Sequence, residues 1–503
     1  MKNEFSFRTR RHALERAAGT TLDVVVIGGG ITGAGIAWDA ATRGLRTAVF
    51  ERRDFAHATS SKTSKMVHGG LRYLQGLELS LVKESLRERN LLLESAKELV
   101  SWIPIAVPIY SPWDGLKFRL GLTIYDALAR EPARRHRSLG KKEIRESVPF
   151  LKESGLWGAL QYWDGLMDDS RLNLAVMASA AASGALVANY AEVSDLVMAN
   201  GRVSGVRVRD ARQAQDVTVR SRIVVNATGP WVERFFPKSG SPVPLRLRPN
   251  RGAHVVISAE RLPTSSGLAF PLAGGRLLFV IPWKGRVVVG TTESPFEGDL
   301  DCVSARGEEV DFLLGLARRF FPDADLGRSD VLASFAGVRP LVDSRQGSLS
   351  RMSREHRIVV SPSGLVSIAG GKFTTFRRMA EMVVDRVTEA LQEEGRRFGP
   401  CRTPGLELDG VLPRPPDPTP SVEQVRESIQ REMVMTISDL LVRRSRTVLL
   451  ADDQGMSIVE SISKVMAAEL GWSETERQAQ LSQYHREVSE CFKRGDVLSP
   501  LST

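Results

Sequence analysis

The sequence predicts an α/β protein built on a discontinuous dinucleotide-binding fold, and three observations carry that expectation. Residues Asp23 to Glu51 follow the strand, glycine turn, helix and second strand of a βαβ nucleotide-binding unit. Long β-rich segments then interrupt the nucleotide-binding pattern. A glycine pair at Gly370 and Gly371, leading into a helical run to about Glu394, completes it.

The opening unit has a specific physics. An apolar run, Val24–Ile27, meets Gly28-x-Gly30-x-x-Gly33, with Gly29, Ile31 and Thr32 between the glycines. Gly28 permits the tight turn, Gly30 lets backbone approach a pyrophosphate, and Gly33 lets helix and strand pack closely. Phosphate charge then sits on helix N-terminal amides. The second apolar run, Thr47–Phe50, ends in Glu51, placed to accept ribose hydroxyls, and Arg52 follows it. Helical periodicity runs from Leu77 to about Val100. Trp102–Tyr110 is apolar but carries Pro104 and Pro108, so it reads as extended. Gly115–Arg130 is amphipathic, and a basic stretch from Arg134 to Lys142 follows. Asp168–Ala182 reads as a helix, and short strands fill Gly184 to Val219. Arg222–Ala227 is a buried strand ending in Thr228-Gly229-Pro230-Trp231, and residues 252–292 are β-rich.

The expected division is an N-terminal extension (1–20), a nucleotide-binding domain (21–100, 165–250 and 330–395) and a substrate domain (101–164 and 251–329). A proline-rich linker (396–421) and a helical C-terminal domain (422–503) follow. Contiguous nucleotide domains are usual in NAD dehydrogenases, so this threading points to FAD.

Composition narrows the function classes. A chain of 503 residues with 42% hydrophobic and 25% charged residues is an ordinary globular protein of two or three domains. Its net charge of +10 suits an anionic membrane surface or anionic small substrates. No nucleic-acid-binding motif accompanies that charge. Cys302, Cys401 and Cys491 follow no metal-ligand spacing, so no metal is expected and the thiols read as reduced. The basic N-terminus lacks a long apolar stretch, and no segment has the apolar length of a spanning helix. The expected location is cytoplasmic, either free or peripheral on the cytoplasmic membrane face.

Further motifs are more specific than the glycine turn. They include TSSKTSKMVHGGLRYL (Thr59–Leu74), MDDSRL (Met167–Leu172), VVNATGPWV (Val224–Val232) and RGAH ending at His254. VIPWKGRVVVGTTE (Val280–Glu293), FAGVRPL (Phe335–Leu341), SRE (Ser353–Glu355) and IAGGKFTTFR (Ile368–Arg377) continue the set. Through them the chain resembles the FAD-dependent (aerobic) glycerol-3-phosphate dehydrogenases, within the D-amino-acid-oxidase-like flavoenzymes of glutathione-reductase-like fold. EMVMTISDLLVRRSR (Glu432–Arg446) resembles the start of that family's C-terminal helical domain, although the stretch from Thr403 to Glu432 is shorter than its pattern.

The resemblance implies oxidation of sn-glycerol 3-phosphate to dihydroxyacetone phosphate on FAD, with quinone or oxygen as electron acceptor. A homodimer and a peripheral membrane contact belong to the same expectation. Arg72, Tyr73, Arg339, Arg354 and Lys372 are its substrate-binding candidates, since guanidinium forks match phosphate oxygens. His254 is the candidate proton acceptor, with Arg339 and Lys372 as further catalytic groups. Cofactor contacts are expected from Thr59, Ser60, Ser61, Ser64 and Lys65, and from His68, Gly69, Gly70 and Leu71. Ala227, Thr228, Gly229, Trp231, Gly337, Gly371, Lys372, Phe373 and Thr374 complete the cofactor set. The pair Asp168–Asp169 reads as a helix cap rather than as catalytic carboxylates. A flavin enzyme acting on an amino acid or hydroxy acid, and a flavin-binding protein without turnover, are the competing readings.

Overall fold

The computed structural model describes residues 5–239, 245–343 and 356–497. The strand Leu22–Ile27 is buried along its whole length, its apolar run Val24–Ile27 as a central parallel strand requires and Asp23 through its pairing with Arg46. It pairs in parallel with Thr47–Phe50 on one side and Gln215–Asn226 on the other. Leu186–Ala188 and Val366–Gly370 extend the parallel sheet outward, and His356–Val360 adds an antiparallel edge. Register aligns the last residues of three strands, since Ile27 lies opposite both Phe50 and Asn226. The crevice beyond those carboxyl ends is where such sheets bind ligands.

Arg222–Ala227 is not a separate strand. It continues Gln215–Asn226, whose first half pairs with Arg202–Asp210. The helix Ile31–Thr42 follows the glycine turn and is covered by Phe376–Gln392 so closely that a β-carbon on Gly35 would lie 2.8 Å from the Phe376 ring.

A second, 10-stranded sheet carries the remaining strands. Val100–Ile109, the proline-containing segment, pairs with Gly158–Met167. Leu247–Ser258 pairs with Arg286–Gly290 and with Val331–Val342. The boundary expected at residue 330 is therefore corrected: Val331–Val342 belongs to the second sheet, and the nucleotide-binding part resumes only at His356–Val360. Strand periodicity reports which face is buried, not which partner a strand selects. Met66–Val67 likewise leaves the first sheet's portion of the chain to pair with Gly158–Met167.

The described part of the N-terminal extension is helical. Ser6 caps a helix, Phe7–Ala18, through a reciprocal box with Thr9. Arg10 of that helix is buried and donates to the Asn189 carbonyl and the Asp210 carboxylate. The proline-rich segment is packed too, with Leu408 buried and Asp409 accepting from the Lys97 and Glu98 amides.

The C-terminal helices Val422–Arg431, Val459–Leu470 and Glu474–Cys491 share one apolar cluster with Val256, Trp283 and Phe335 of the second sheet. Buried ion pairs tie them to the first domain. Asp54 accepts from Arg443 Nε at 2.6 Å and from both terminal nitrogens of Arg444, and Arg171 donates to Glu432 at 2.6 Å. Burial pushes the Asp54 carboxyl up, but Arg444 and Arg443 overcome this and hold it below its ordinary value. Replacing Asp54 with Ala takes from buried Arg444 the carboxylate it bonds and leaves buried Arg443 with Asp439 and Glu487 alone. The expected cost is ~3–5 kcal/mol, read as a lower urea midpoint; an unchanged midpoint would remove these pairs from the account.

Candidate active site

A cleft of about 360 Å³ opens at the crevice between the two sheets, within the ~300–1,000 Å³ of small-molecule and cofactor sites. One half of its wall is nucleotide-binding backbone. Gly28 has φ 106°, and a β-carbon there would lie 2.8 Å from the Ala227 carbonyl oxygen. A β-carbon on Gly33 would come within 1.9 Å of the Gly28 oxygen. The Ser60 hydroxyl accepts from the Ile31 amide at 2.9 Å, bracing the turn. Glu51 accepts from the amides of Gly29 (2.6 Å) and Arg53 (2.8 Å). Burial raises its carboxyl, opposed by those two donors.

These features fit the adenine-nucleotide half of FAD. The glycines clear the backbone path, Glu51 stands at the end of the second strand, and Arg52 lies over the Trp231 ring at 5.0 Å.

The second sheet supplies the other half through simple alternation. Asn250, Gly252 and His254 share one face of their strand, opposite Arg339, Gly337 and Phe335 on the next. Ala253, Val255, Ala336 and Val338 point the other way, into the apolar cluster behind. The paired glycines leave a groove. A β-carbon on Gly252 would lie 2.5 Å from Arg339 Nη2, and one on Gly337 would lie 2.9 Å from the Lys62 carbonyl. Arg339 donates to Asn250 Oδ1 and Thr291 Oγ1, both at 2.9 Å. Arg72 pairs with Glu293 at 3.1 Å. Lys372 donates to Ser85 Oγ at 3.0 Å and sits 3.8 Å over the Tyr73 ring.

His254 is held on three sides. Its Nε2 is 2.8 Å from Ser64 Oγ, its ring stacks on Phe335 at 4.9 Å, and Gly290 closes the remaining edge. A β-carbon on Gly290 would lie 2.3 Å from the imidazole. Burial, then the Arg339 and Lys65 cations, hold its pKa well below the ordinary histidine value.

Arg72, Tyr73, His254, Arg339 and Lys372 all line the cleft. So do Gly28, Gly30, Ile31, Thr32, Glu51, Arg52, Thr59, Ser60, Ser64, His68, Gly70 and Leu71. Ala227, Thr228, Gly229, Trp231, Gly337, Gly371, Phe373 and Thr374 complete the predicted part of the wall. Five expected contacts lie behind it. Gly29 packs on Phe55, Gly33 on Gly28, and Gly69 on Leu86 and Tyr125. Ser61 Oγ bonds the Ala58 carbonyl. The Lys65 ammonium, expected to reach the cofactor, is fully buried and donates to Asp169 instead, because a cation taken out of water needs a counter-charge. Its pKa is lowered to about 8, by burial and by Arg446, against the pull of Asp169. Asp168 caps the helix Asp169–Ala182, accepting from the Arg171 amide. Arg354 lies outside the described residues.

Sequence reasoning missed Gly252, Gly290, Asn250, Thr291, Glu293 and Ser85. The glycine of RGAH and the GTTE run stood in plain view, and unexplained glycines in strands are the signal of a close approach.

The histidines give a stability signature. His57 and His254 both have folded pKa values well below 6.5. Below that pH the unfolded chain protonates them and the folded chain does not, so the unfolded state holds more protons. Stability from these groups is thus complete above pH 6.5 and falls as pH drops through it. Relative to the wild type, His254→Gln should reduce the fall in unfolding free energy between about pH 6.5 and 5.5 by roughly 1 kcal/mol. Parallel curves for the two proteins would contradict a neutral buried imidazole.

Comparison with known proteins agrees with this geometry. A family described as FAD dependent oxidoreductase matches residues 23–386, and the C-terminal domain of alpha-glycerophosphate oxidase matches residues 382–477. The aerobic glycerol-3-phosphate dehydrogenase of Bacillus subtilis is 36% identical over 414 residues, 82% of this chain and 75% of that one. The mitochondrial glycerol-3-phosphate dehydrogenase of Mesocricetus auratus is 35% identical over 91% of this chain and 72% of its own length. Among solved structures, the Bacillus halodurans glycerol-3-phosphate dehydrogenase complexed with FAD superposes with a TM-score of 0.79 at 27% identity, covering 99% of this chain and 100% of that one. The L-alpha-glycerophosphate oxidase of Mycoplasma pneumoniae, at 16% identity and a TM-score of 0.60 over 76% of this chain and 97% of its own, shares the fold. The chain belongs to the FAD dependent oxidoreductase family, in its glycerol-3-phosphate dehydrogenase branch.

Proposed function

We propose that this protein oxidises sn-glycerol 3-phosphate to dihydroxyacetone phosphate and passes the electrons to a membrane quinone. The observation that carries the reading is the convergence of Arg72, Arg339 and Lys372 on the cleft beside a buried neutral imidazole. The glycine turn, Glu51, Thr59, Ser60 and Ser64 would hold FAD, which when bound supplies the acceptor for the C2 hydride. Arg339, held by Asn250 and Thr291, presents a guanidinium fork to the cleft that matches phosphate oxygens. His254 takes the C2 hydroxyl proton at Nε2, the atom now engaged by Ser64. Burial, and then the charge of Arg339, suppresses the basicity of His254 in the free protein. A dianionic phosphate beside Arg339 offsets that field and raises the affinity of His254 for a proton as substrate arrives.

The reading is tested by anaerobic reduction of the bound flavin. Glycerol 3-phosphate should bleach the yellow protein, whereas sarcosine, D-alanine and 2-hydroxyglutarate should not. His254→Gln should slow reduction ~100-fold or more with flavin still bound. Arg339→Lys should weaken substrate binding ~10-fold through loss of the bidentate fork. Bleaching by an amino acid instead would transfer the chain to the competing enzyme class, and bound but unreactive flavin would make it a protein without turnover.

Quinone lies in lipid, and one surface suits contact with it. The helix Pro112–Ala129 exposes Trp113, Leu116, Leu120 and Ile124 along one face. Trp157 is exposed as well, and Lys117, Arg119, Arg130, Lys141 and Lys142 are exposed cations of the same region. The preceding apolar segment takes no part, because most of Val100–Ile109 is a buried strand. No helix among the described residues is long and apolar enough to cross a membrane. Anionic liposomes should float the protein at low salt and float Leu116→Glu/Leu120→Glu far less. Equal flotation of both proteins would remove this face from the account.

A further inference from the structure

One buried group outside the cleft has more contacts than a structural cap requires. Asp169, which opens the helix Asp169–Ala182, accepts from the Thr63 amide at 2.9 Å and the Thr63 hydroxyl at 2.8 Å. It also takes the Lys65 ammonium at 2.9 and 2.8 Å and Arg446 Nη2 at 2.7 Å. Thr63 and Lys65 flank Ser64, whose hydroxyl touches His254. Asp169 therefore grips both neighbours of the residue that orients the imidazole.

The same loop is conformationally costly. Lys65 lies at φ 62°, a left-handed backbone that persists in a non-glycine residue only when its surroundings impose it. The imposing contacts are visible. The Lys65 ammonium also donates to the Ser61 carbonyl at 2.9 Å, and Arg446 reaches that carbonyl at 3.3 Å. Lys65 further lies 5.0 Å from the Phe335 ring, on which His254 stacks. Two routes, one through Ser64 and one through Phe335, thus connect the Asp169 cluster to the imidazole.

Arg446 comes from the C-terminal domain, immediately before the turn Thr447–Leu450, and is fully buried. Asp168, at 3.5 Å from Arg446 Nε, pairs also with Lys284 at 2.9 Å, so the acid pair is matched by three cations. We infer that Asp169 and Arg446 are positioning residues for the oxidation, fixing His254 through Thr63, Ser64 and Lys65, so that the C-terminal domain supplies part of the catalytic geometry. Neither residue lines the cleft, and neither touches substrate or cofactor in this role. Their effect falls on the rate of the reacting step, because displacing a proton acceptor by a fraction of an ångström costs rate without removing a phosphate contact.

This inference rests on the reaction proposed above, and the wild-type holoenzyme separates the two. If glycerol 3-phosphate does not bleach wild-type flavin, the proposed reaction fails first. With that reaction in hand, Arg446→Met and Thr63→Val are compared in anaerobic stopped-flow reduction across a range of glycerol 3-phosphate. The limiting reduction rate should fall about tenfold or more in each, with the apparent dissociation constant within about twofold and the flavin content unchanged. Arg446→Lys, which keeps a cation facing Asp169, should recover most of that rate. Should Arg446→Met fail to fold, Thr63→Val alone decides, since it removes one bond to Asp169 and the one from the Lys65 amide to the Thr63 hydroxyl. An unchanged limiting rate, or a loss appearing only in binding or in flavin content, overturns the inference.

Discussion

Three cations share one end of a cleft, and their mutual repulsion is the constraint around which the neighbouring residues are arranged. Arg72 is met by Glu293, Arg339 by the amide of Asn250 and the hydroxyl of Thr291, and Lys372 by Ser85 and the Tyr73 ring. Glu293 is a carboxylate, whereas Asn250, Thr291 and Ser85 meet their cations with neutral oxygens. Three cationic side chains on one wall of the cleft suit a phosphate dianion. His254 lies beside these cations, and burial first, then Arg339 and Lys65, depresses its basicity.

Holding those groups in place depends on missing side chains as much as on present ones. Gly252 and Gly337 face each other across the second sheet and make a groove, one admitting the Arg339 guanidinium and the other the loop at Lys62. Gly290 admits the imidazole edge, and Gly28 and Gly33 do the same for the turn beneath the nucleotide path. Each is a backbone approach that any β-carbon would block. The C-terminal helices add the second support. Their arginines enter the first domain as counter-charges to Asp54 and Asp169, so the segment from Asp54 to Lys65 is held at one end by Arg443 and Arg444 and at the other by Asp169 with Arg446.

Much of this was legible in the sequence, for a physical reason: local motifs encode local geometry. The βαβ unit from Leu22 to Phe50, the capped helix after Asp168 and the helix after Thr375 follow patterns that short spacing determines. His254 and Arg339 were recognisable through resemblance, because whole motifs surround them. What could not be read was long-range choice of partner. Val331–Val342 is a mostly buried, largely apolar run that suits a strand of either sheet, and only pairing with Leu247–Ser258 assigns it to the second. Lys65 sits in a Ser/Thr-rich loop that reads as a cofactor contact, yet its ammonium finds Asp169 more than a hundred residues away. The helix Phe7–Ala18 was hidden because its buried face includes Arg10, whose partner Asp210 is equally remote.

The central claim is that charge on the phosphate, rather than the polyol, selects the substrate. It is tested most directly by comparing glycerol with glycerol 3-phosphate as reductants of the bound flavin while pH is varied across the second phosphate ionisation, near ~6. The account predicts that glycerol leaves the flavin oxidised, and that the phosphate ester binds more tightly as its second charge forms. Reduction by glycerol at a comparable rate, or binding indifferent to the phosphate's charge, would contradict it.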